Sequence, residues 1–342
     1  MAAKAARRTK PPTEENASED GGFKPLSAFG GLKFLRDYKD ISERAALGLM
    51  SMKAFHRKFK LQYPTLHAIQ ITDLHLLEDE DARLKNTAAW QTFRAVLQHA
   101  VREGPQPDFI LATGDLAHER PRVVYGRLQA DIAGMGIPMY VAPGNHDDPA
   151  LLAEVFSQAT HQGSAANGST TGKVAGVPPD TAPMEMTDGG ASVGFGHVSR
   201  GNWLVILLDT VVPRMEHGLL SAGELARLDA LLHTHPRAHA LVCLHHHPVP
   251  FGRAGMDAIG LRNAEAFFSI VDRHPQVRGI VWGHIHNAFE AKRGEIMLLG
   301  APSTCFQFDA ASERISPIES PPGYRRLTLE PDGRIDSHVV WV

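Results

Sequence analysis

Five short motifs rich in histidine and aspartate follow one another along the chain, and each comes after a run of apolar residues. They are Asp73-Leu74-His75, Gly114-Asp115, Gly144-Asn145-His146-Asp147, His245-His246-His247-Pro248 and Gly283-His284-Ile285-His286. Short apolar runs of this kind are typical of buried strands. Because open α/β sheets place their functional groups at the carboxyl ends of strands, we expect the five motifs to meet at one site.

From Leu66 onward, apolar runs alternate with stretches of helical periodicity, which is the pattern of an α/β fold. The predicted strands are His67–Ile71, Phe109–Thr113, Met139–Ala142, Trp203–Leu208, Ala240–Leu244, Val277–Trp282, Ile296–Leu299 and Tyr324–Leu329. The predicted helices are Thr87–Arg102, Arg122–Ala133, Ala150–Gln158, Ala222–Leu232 and Ala264–Arg273. Residues 160–190 are rich in Gly, Ser, Thr and Pro and contain no Phe, Trp or Tyr, which predicts a surface insertion within a domain covering 63–342.

The first 62 residues differ from the rest in composition. They hold 13 of the 35 Lys and Arg and 7 of the 38 Asp and Glu, which leaves a net charge of −9 on residues 63–342. A body of that charge lacks the basic face of a nucleic-acid-binding protein, so no nucleic-acid partner is predicted. Residues 1–22 are polar and are predicted to be disordered. Apolar residues between Leu32 and Phe59 recur at helical spacing, with Lys and Arg on much of the opposite face.

That basic amphipathic stretch has two interpretations. One is a helix packed on the domain or between subunits, and the other is a helix lying on a membrane surface. No apolar segment approaches the length of a membrane-spanning helix, and no signal peptide is recognisable. Cys243 and Cys305 are the only cysteines, which argues against a disulfide framework and fits a reducing compartment. We therefore predict a cytoplasmic protein whose oligomeric state the sequence leaves open.

The motifs carry the ligand types that a pair of metal ions needs. In an extended chain residues i and i+2 point the same way, so Asp73 and His75 are expected to grip one cation together. The same spacing is expected to bring His284 and His286 to one pocket. The carboxylate of Asp115 has two oxygens with which to bridge two metals, and Asn145 offers a neutral amide oxygen. Hydrolysis of a phosphate ester is the reaction that such a site predicts.

Most of the 19 histidines need no such role. Residues such as His118 and His239 are interpreted as solvated or capping side chains. His217, which follows an apolar strand and Asp209, is a slightly stronger candidate for a role in the site. Within His245-His246-His247 a single metal ligand is expected.

In these motifs the chain resembles the calcineurin-like metallophosphoesterase superfamily, and in particular the bacterial class III 3′,5′-cyclic-AMP phosphodiesterases. The narrower likeness rests on segments that metal chemistry does not require: Leu207-Leu208-Asp209, His217-Gly218, Leu261-Arg262-Asn263-Ala264 and Pro302-Ser303-Thr304-Cys305-Phe306-Gln307-Phe308. The resemblance covers about residues 64–342 apart from the insertion. It implies a four-layer αββα sandwich of two mixed β-sheets flanked by helices.

The resemblance also implies a metal-binding role for each motif. Asp73, His75 and His286 would hold the first metal. Asn145, His246 and His284 would hold the second, with Asp115 between them; a shift from His246 to His245 stays open. The implied cofactors are two divalent or mixed-valence ions, and oxygen and nitrogen ligands without thiolate suit iron, manganese or zinc.

The implied reaction is hydrolysis of 3′,5′-cyclic AMP to 5′-AMP by a hydroxide that bridges the two metals. His146 would stabilise the transition state or protonate the leaving oxygen, and Asp147 would fix its tautomer. The predicted substrate-binding residues are His75, Asp115, Asn145, His146, His246, His286, Arg262 and Asn263. Asn263 has a second interpretation, as the N-cap of the following helix. The alternative functions are a broader phosphodiesterase for glycerophosphodiesters or 2′,3′-cyclic nucleotides, and a non-catalytic scaffold of the same fold.

Overall fold

The computed structural model of the chain describes residues 63–119, 122–162, 193–194 and 196–342. The helices in this part are α1 Ala89–Arg102, α2 Arg122–Ala133, α3 Pro149–Gln162, α4 Ala222–Thr234, α5 Ala254–Asp257 and α6 Ala264–Val271. The strands are β1 Leu66–Ile71, β2 Phe109–Ala112, β3 Met139–Val141, β4 Val193–Gly194, β5 His197–Arg200, β6 Trp203–Leu207, β7 His239–Cys243, β8 Val277–Trp282, β9 Phe289–Arg293, β10 Ile296–Gly300, β11 Gln307–Phe308, β12 Pro317–Ile318, β13 Gly323–Leu329 and β14 Ile335–Trp341.

Two six-stranded sheets, both of mixed direction, form the framework. The first sheet has the order β14-β13-β1-β2-β3-β4, in which β1 to β4 run parallel and β13 and β14 run antiparallel to their neighbours. The second sheet has the order β5-β6-β7-β8-β10-β9, with β6, β7, β8 and β10 parallel and an antiparallel strand at each edge. Strands β11 and β12 form a separate antiparallel pair.

Alternation along the strands creates three apolar layers. In β1, Ala68 belongs to the layer between the two sheets, whereas Ile69 belongs to the layer under α1, α2 and α3. In β7, Leu241 faces the first sheet and Val242 packs with α4 and α6. Successive strand residues point to opposite faces, so each sheet is buried on both sides. The predicted four-layer αββα sandwich is confirmed.

The predicted elements are present with small shifts at their ends, but six strands were not predicted. These are β4, β5, β9, β11, β12 and β14. Strand β9, of sequence Phe-Glu-Ala-Lys-Arg, is an edge strand with no buried residue. Strands β4, β11 and β12 have two residues each. Such strands lack an apolar run, and pairing with a neighbour is what makes them strands.

The predictions for residues 1–62 lie outside the described residues, as do those for most of the 160–190 insertion; residues 160–162 are the last of α3. Among the helices that the structure describes, none combines the length and the apolar character required to cross a membrane. Cys243 and Cys305 are both buried and unpaired, in agreement with the prediction that no disulfide forms.

Candidate metal centre

The loops that follow the parallel strands bring the five motifs together. Asp73 and His75 follow β1, Asp115 follows β2 and Asn145 follows β3. The first two loops run side by side, because the backbone N–H of Asp73 donates to Gly114 O at 2.9 Å and that of His75 donates to Asp115 O at 2.9 Å. The motifs after β7 and β8 arrive from the second sheet. The site therefore lies where the carboxyl ends of strands from both sheets meet.

Five of the predicted metal ligands adopt a left-handed backbone conformation that non-glycine residues rarely occupy. Their φ angles are 53° at Asp73, 46° at His75, 53° at Asp115, 67° at His284 and 45° at His286. Each such residue costs about 1 to 3 kcal/mol and persists only where the surrounding structure holds it, and residues of this kind cluster at functional sites. The expectation that Asp73-x-His75 and His284-x-His286 are extended is wrong. Positive φ angles aim these side chains instead.

The first cluster consists of Asp73, His75 and His286, all buried. The Nε2 atom of His286 lies 3.2 Å from Asp73 Oδ1 and 3.2 Å from His75 Nε2. The other ring nitrogen of His286, Nδ1, lies 2.6 Å from Phe306 O. A carbonyl oxygen only accepts hydrogen bonds, so Nδ1 carries the proton and the Nε2 lone pair faces the cluster.

Asp115 connects this cluster to a second one. Its Oδ2 atom lies 3.8 Å from His75 Nε2 and 3.5 Å from His245 Nε2. Its Oδ1 atom accepts a hydrogen bond of 2.8 Å from the backbone N–H of His146. One carboxylate therefore faces both groups of ligands, which is the arrangement that the sequence predicted for a bridging residue.

The second cluster consists of His245, Asn145 and His284. His245 Nε2 lies 3.1 Å from Asn145 Oδ1 and 3.2 Å from His284 Nδ1. His245 Nδ1 donates to Thr113 O at 2.8 Å, so the Nε2 lone pair is again directed inward when the ring is neutral. Burial by itself lowers the pKa of His245, but the charges of Asp115 and Asp73 raise this pKa to about 9. The buried carboxylates thus attract positive charge, and a cation would take the place of this proton.

His246, the predicted ligand of the second metal, lies next to His245 and His284, but its ring nitrogens have other partners. Its Nε2 lies 3.1 Å from Glu216 O and its Nδ1 lies 2.7 Å from Thr210 Oγ1. Because the carbonyl must accept, Nε2 carries the proton and Nδ1 accepts from the threonine hydroxyl. Both ring nitrogens are then engaged with protein groups. The geometry favours His245, the alternative that the sequence left open, over His246.

The catalytic candidates lie beside the first cluster, where the ring centroid of His146 is 4.9 Å from that of His75. His146 is half-buried, and its Nδ1 lies 3.0 Å from His118 O. The carboxylate of Asp147 is turned away, toward the backbone N–H groups of Leu116, Ala117 and Gly144 and the hydroxyl of Tyr125. Burial, together with the charge of Asp115, raises the pKa of Asp147 to about 6. The carbonyl of His118, and not Asp147, is the group placed to set the tautomer of His146.

His118 belongs to the site although the sequence analysis assigned it to the surface. Its Nδ1 lies 3.4 Å from Nδ1 of His75, and its ring is stacked on that of His146 with a centroid distance of 5.0 Å. His118 directly follows Ala117, which pairs with Leu76 beside His75. That pairing is tertiary, so the sequence alone did not show it.

Arg262 and Asn263 both make hydrogen bonds to residues 218–220, Arg262 through its backbone and Asn263 through its side-chain amide. Asn263 occupies the N-cap position of α6 without making a side-chain capping hydrogen bond, so the capping interpretation is wrong. Its amide instead pairs with both backbone groups of Leu220, at 3.0 Å and 2.8 Å. Arg262 is exposed, and its backbone N–H donates to Gly218 O at 2.9 Å.

Comparison with known sequences gives consistent results. A model described as calcineurin-like phosphoesterase matches residues 66–288. A Pseudomonas aeruginosa protein named 3′,5′-cyclic adenosine monophosphate phosphodiesterase CpdA is 33% identical over 271 residues, which are 79% of this chain and 88% of that protein. A protein of the same name from Escherichia coli strain K12 is 31% identical over 272 residues, again 79% of this chain and 88% of the relative.

A third relative, from Nostoc, is named 3′,5′-cyclic-nucleotide phosphodiesterase alr5338 and is 33% identical over 264 residues, 77% of this chain and 88% of that protein. Among solved structures, a dimetal phosphatase from Danio rerio matches with a TM-score of 0.50 at 15% identity, covering 81% of this chain and 99% of that one. The structural match supports the fold.

Proposed function

Because the chain belongs to the calcineurin-like phosphoesterase family, we propose that it hydrolyses 3′,5′-cyclic AMP to 5′-AMP. The observation that best supports metal-dependent hydrolysis of a phosphate ester is the position of Asp115 Oδ2 between His75 Nε2 and His245 Nε2. The choice of substrate rests on the names of relatives that match over more than three quarters of this chain.

The proposed metal ligands are Asp73, His75 and His286 for one ion and Asn145, His245 and His284 for the other, with Asp115 shared. The donor set fits, since it combines two buried carboxylates, an amide oxygen and inward-facing imidazole nitrogens. Such ligands suit iron, manganese or zinc. When bound, these ions supply Lewis-acid chemistry: they activate water as the nucleophile and offset negative charge on the phosphoryl oxygens.

The protein contributes proton transfer and positioning. In its protonated form His146 donates its Nε2 proton to the leaving 3′-oxygen, while Nδ1–H remains on the carbonyl of His118. Asp147 holds the two loops around Asp115 in register, because it accepts hydrogen bonds from both. Exposed Arg262 is proposed to contact the nucleotide, and Asn263 to hold the backbone beside it.

The test is hydrolysis by metal-reconstituted protein of 3′,5′-cyclic AMP, 3′,5′-cyclic GMP, 2′,3′-cyclic AMP and glycerophosphodiesters. A preference for 3′,5′-cyclic AMP that the Asn145→Ala variant loses supports the proposal. Activity restricted to the other esters keeps the reaction class and overturns the substrate. A protein that binds metal and hydrolyses none of them would be a non-catalytic scaffold.

A further inference from the structure

We propose that His246 is a positioning residue that holds residues 210–220 beside the second cluster, and that this segment binds the nucleoside part of the substrate. The second half of this proposal rests on the proposed function. The first half is a statement about the protein alone and is tested separately.

His246 contacts the segment at two points, at its start and near its middle. Its ring is fully buried, and its two nitrogens pair with the hydroxyl of Thr210 at 2.7 Å and the carbonyl of Glu216 at 3.1 Å. A buried ring that lost either partner would leave a polar atom without a hydrogen bond, which is costly. The ring therefore fixes the position of Thr210, shortly after β6, and that of Glu216, before the chain reaches α4.

Close packing leaves this segment little freedom to shift along the ring. A Cβ atom added to Gly218 would lie 2.5 Å from the His246 ring, so only glycine permits this approach. The carbonyl of Gly218 accepts from the backbone N–H of Arg262 at 2.9 Å, and Leu220 pairs with the Asn263 amide. The segment thus lies between His246 and residues 261–263.

The same ring places the segment next to the proposed metal ligands. The centroid of the His246 ring lies 4.6 Å from that of His284 and 4.9 Å from that of His245. Only the imidazole ring of His246 thus separates the carbonyl oxygen of Glu216 from the second cluster. If the phosphate of a substrate binds at the cluster, its nucleoside would be close enough to contact residues 210–220.

The segment also carries exposed apolar side chains. Met215 is 46% exposed and Leu219 is 44% exposed, although large apolar side chains are mostly buried in the described part of the chain. An exposed methionine is a flexible, polarisable group that contacts flat aromatic ligands favourably. Ligand sites combine a few fixed polar groups with an apolar lining. Here the cluster would supply the polar groups, and residues 210–220 would supply the apolar lining.

The decisive variants are His246→Leu, which removes both hydrogen bonds, and His246→Gln, which keeps an N–H donor for Glu216 O. We expect both to retain two metal ions per chain. In His246→Leu the amides of residues 211–219 should exchange hydrogen faster, whereas His246→Gln should restore much of the protection. The KM for 3′,5′-cyclic AMP should rise about ten-fold in His246→Leu with a smaller change in kcat, while the KM for methyl 4-nitrophenyl phosphate, which lacks a nucleoside, stays unchanged.

A surface pair tests the segment without disturbing the buried ring. Met215→Gln should raise the KM for 3′,5′-cyclic AMP alone. Val342→Gln is the matched control, because Val342 is also an exposed apolar side chain and directly follows β14, an edge strand of the first sheet.

Loss of one metal ion in His246→Leu would overturn the proposal and make His246 a ligand. Unchanged exchange in that variant would overturn the positioning role. An unchanged KM in Met215→Gln and His246→Leu would overturn the nucleoside contact. If the wild type hydrolyses only the small ester, the proposed substrate and nucleoside contact fail, and the metal and exchange measurements still decide the role of His246.

Discussion

The imidazole of His146 is stacked on that of His118, with ring centroids 5.0 Å apart, and its Nδ1 lies 3.0 Å from the His118 carbonyl oxygen. A backbone group therefore orients the predicted catalytic ring. This relationship explains how His146 is held although the neighbouring carboxylate of Asp147 is turned toward other partners.

Replacement of His146 by alanine should lower kcat by about 10² to 10⁴, the usual contribution of a positioned general acid. Metal content should not change, since His146 is outside both ligand clusters. His118→Ala is the control: it keeps the carbonyl and removes only the stacked ring, so its effect should be much smaller. Metal analysis and steady-state kinetics measure both. Normal turnover in His146→Ala would remove this residue from the mechanism.

His245→Ala should retain about one metal ion fewer per chain than the wild type. The reason is that His245 Nε2 is the atom that contacts both Asn145 and Asp115. Metal content measured by mass spectrometry after reconstitution checks this. Two tightly bound ions in the variant would contradict the assignment of the second cluster.

Gly144 is a position where any side chain should damage the centre. An added Cβ would overlap the side chain and backbone of Asp115, so Gly144→Ala should cost about 1 to 3 kcal/mol of unfolding free energy and weaken metal binding. Gly126 in α2 is exposed and has open space around it. Gly126→Ala should instead stabilise the protein by up to about 1 kcal/mol. Urea unfolding of both variants, with and without metal, gives the comparison; equal effects would show that Asp115 tolerates the added atom.

His247 should make the metal-free protein sensitive to acid. Burial lowers the pKa of His247 from 6.5 to about 4, and neither ring nitrogen has a hydrogen-bond partner. The unfolded chain therefore binds more protons than the folded one between pH 6.5 and pH 4, so stability is lost as the pH falls through this window.

Replacing His247 by leucine removes that proton binding. Between pH 7.5 and pH 5 the wild type should lose about 2 kcal/mol more than His247→Leu. At pH 7.5 His247→Leu should be no less stable than the wild type, because the substitution removes two unpaired buried nitrogens and introduces no new polar atom. Urea unfolding of both metal-free proteins at the two pH values measures the difference, and parallel pH profiles would contradict it.

Much of the fold and the site could be predicted from local sequence. Apolar runs such as Phe109–Ala112 identify strands because burial on both faces requires continuous apolar residues. The position of the site could be predicted because the carboxyl ends of parallel strands meet at one edge of a sheet. Strand β14 was missed because it is a mostly exposed edge strand in which polar residues precede the apolar ones, although it pairs with β13 across a short turn that contains Pro331, Asp332 and Gly333.

The chemistry of the ligands was therefore determined by the sequence, whereas their selection was decided by the tertiary structure. Residue types and spacing predicted Asp73, Asp115 and His286 as ligands, since carboxylates and imidazoles at strand ends are typical groups for binding a cation. The choice between His245 and His246 depends on the orientation of each ring. The carbonyl of Thr113 holds Nδ1 of His245 and leaves its Nε2 facing the cluster, whereas the carbonyl of Glu216 holds Nε2 of His246. Both carbonyls belong to other segments of the chain. The backbone turns at His75 and His284 likewise depend on neighbouring loops that hold a positive φ, which no local pattern encodes.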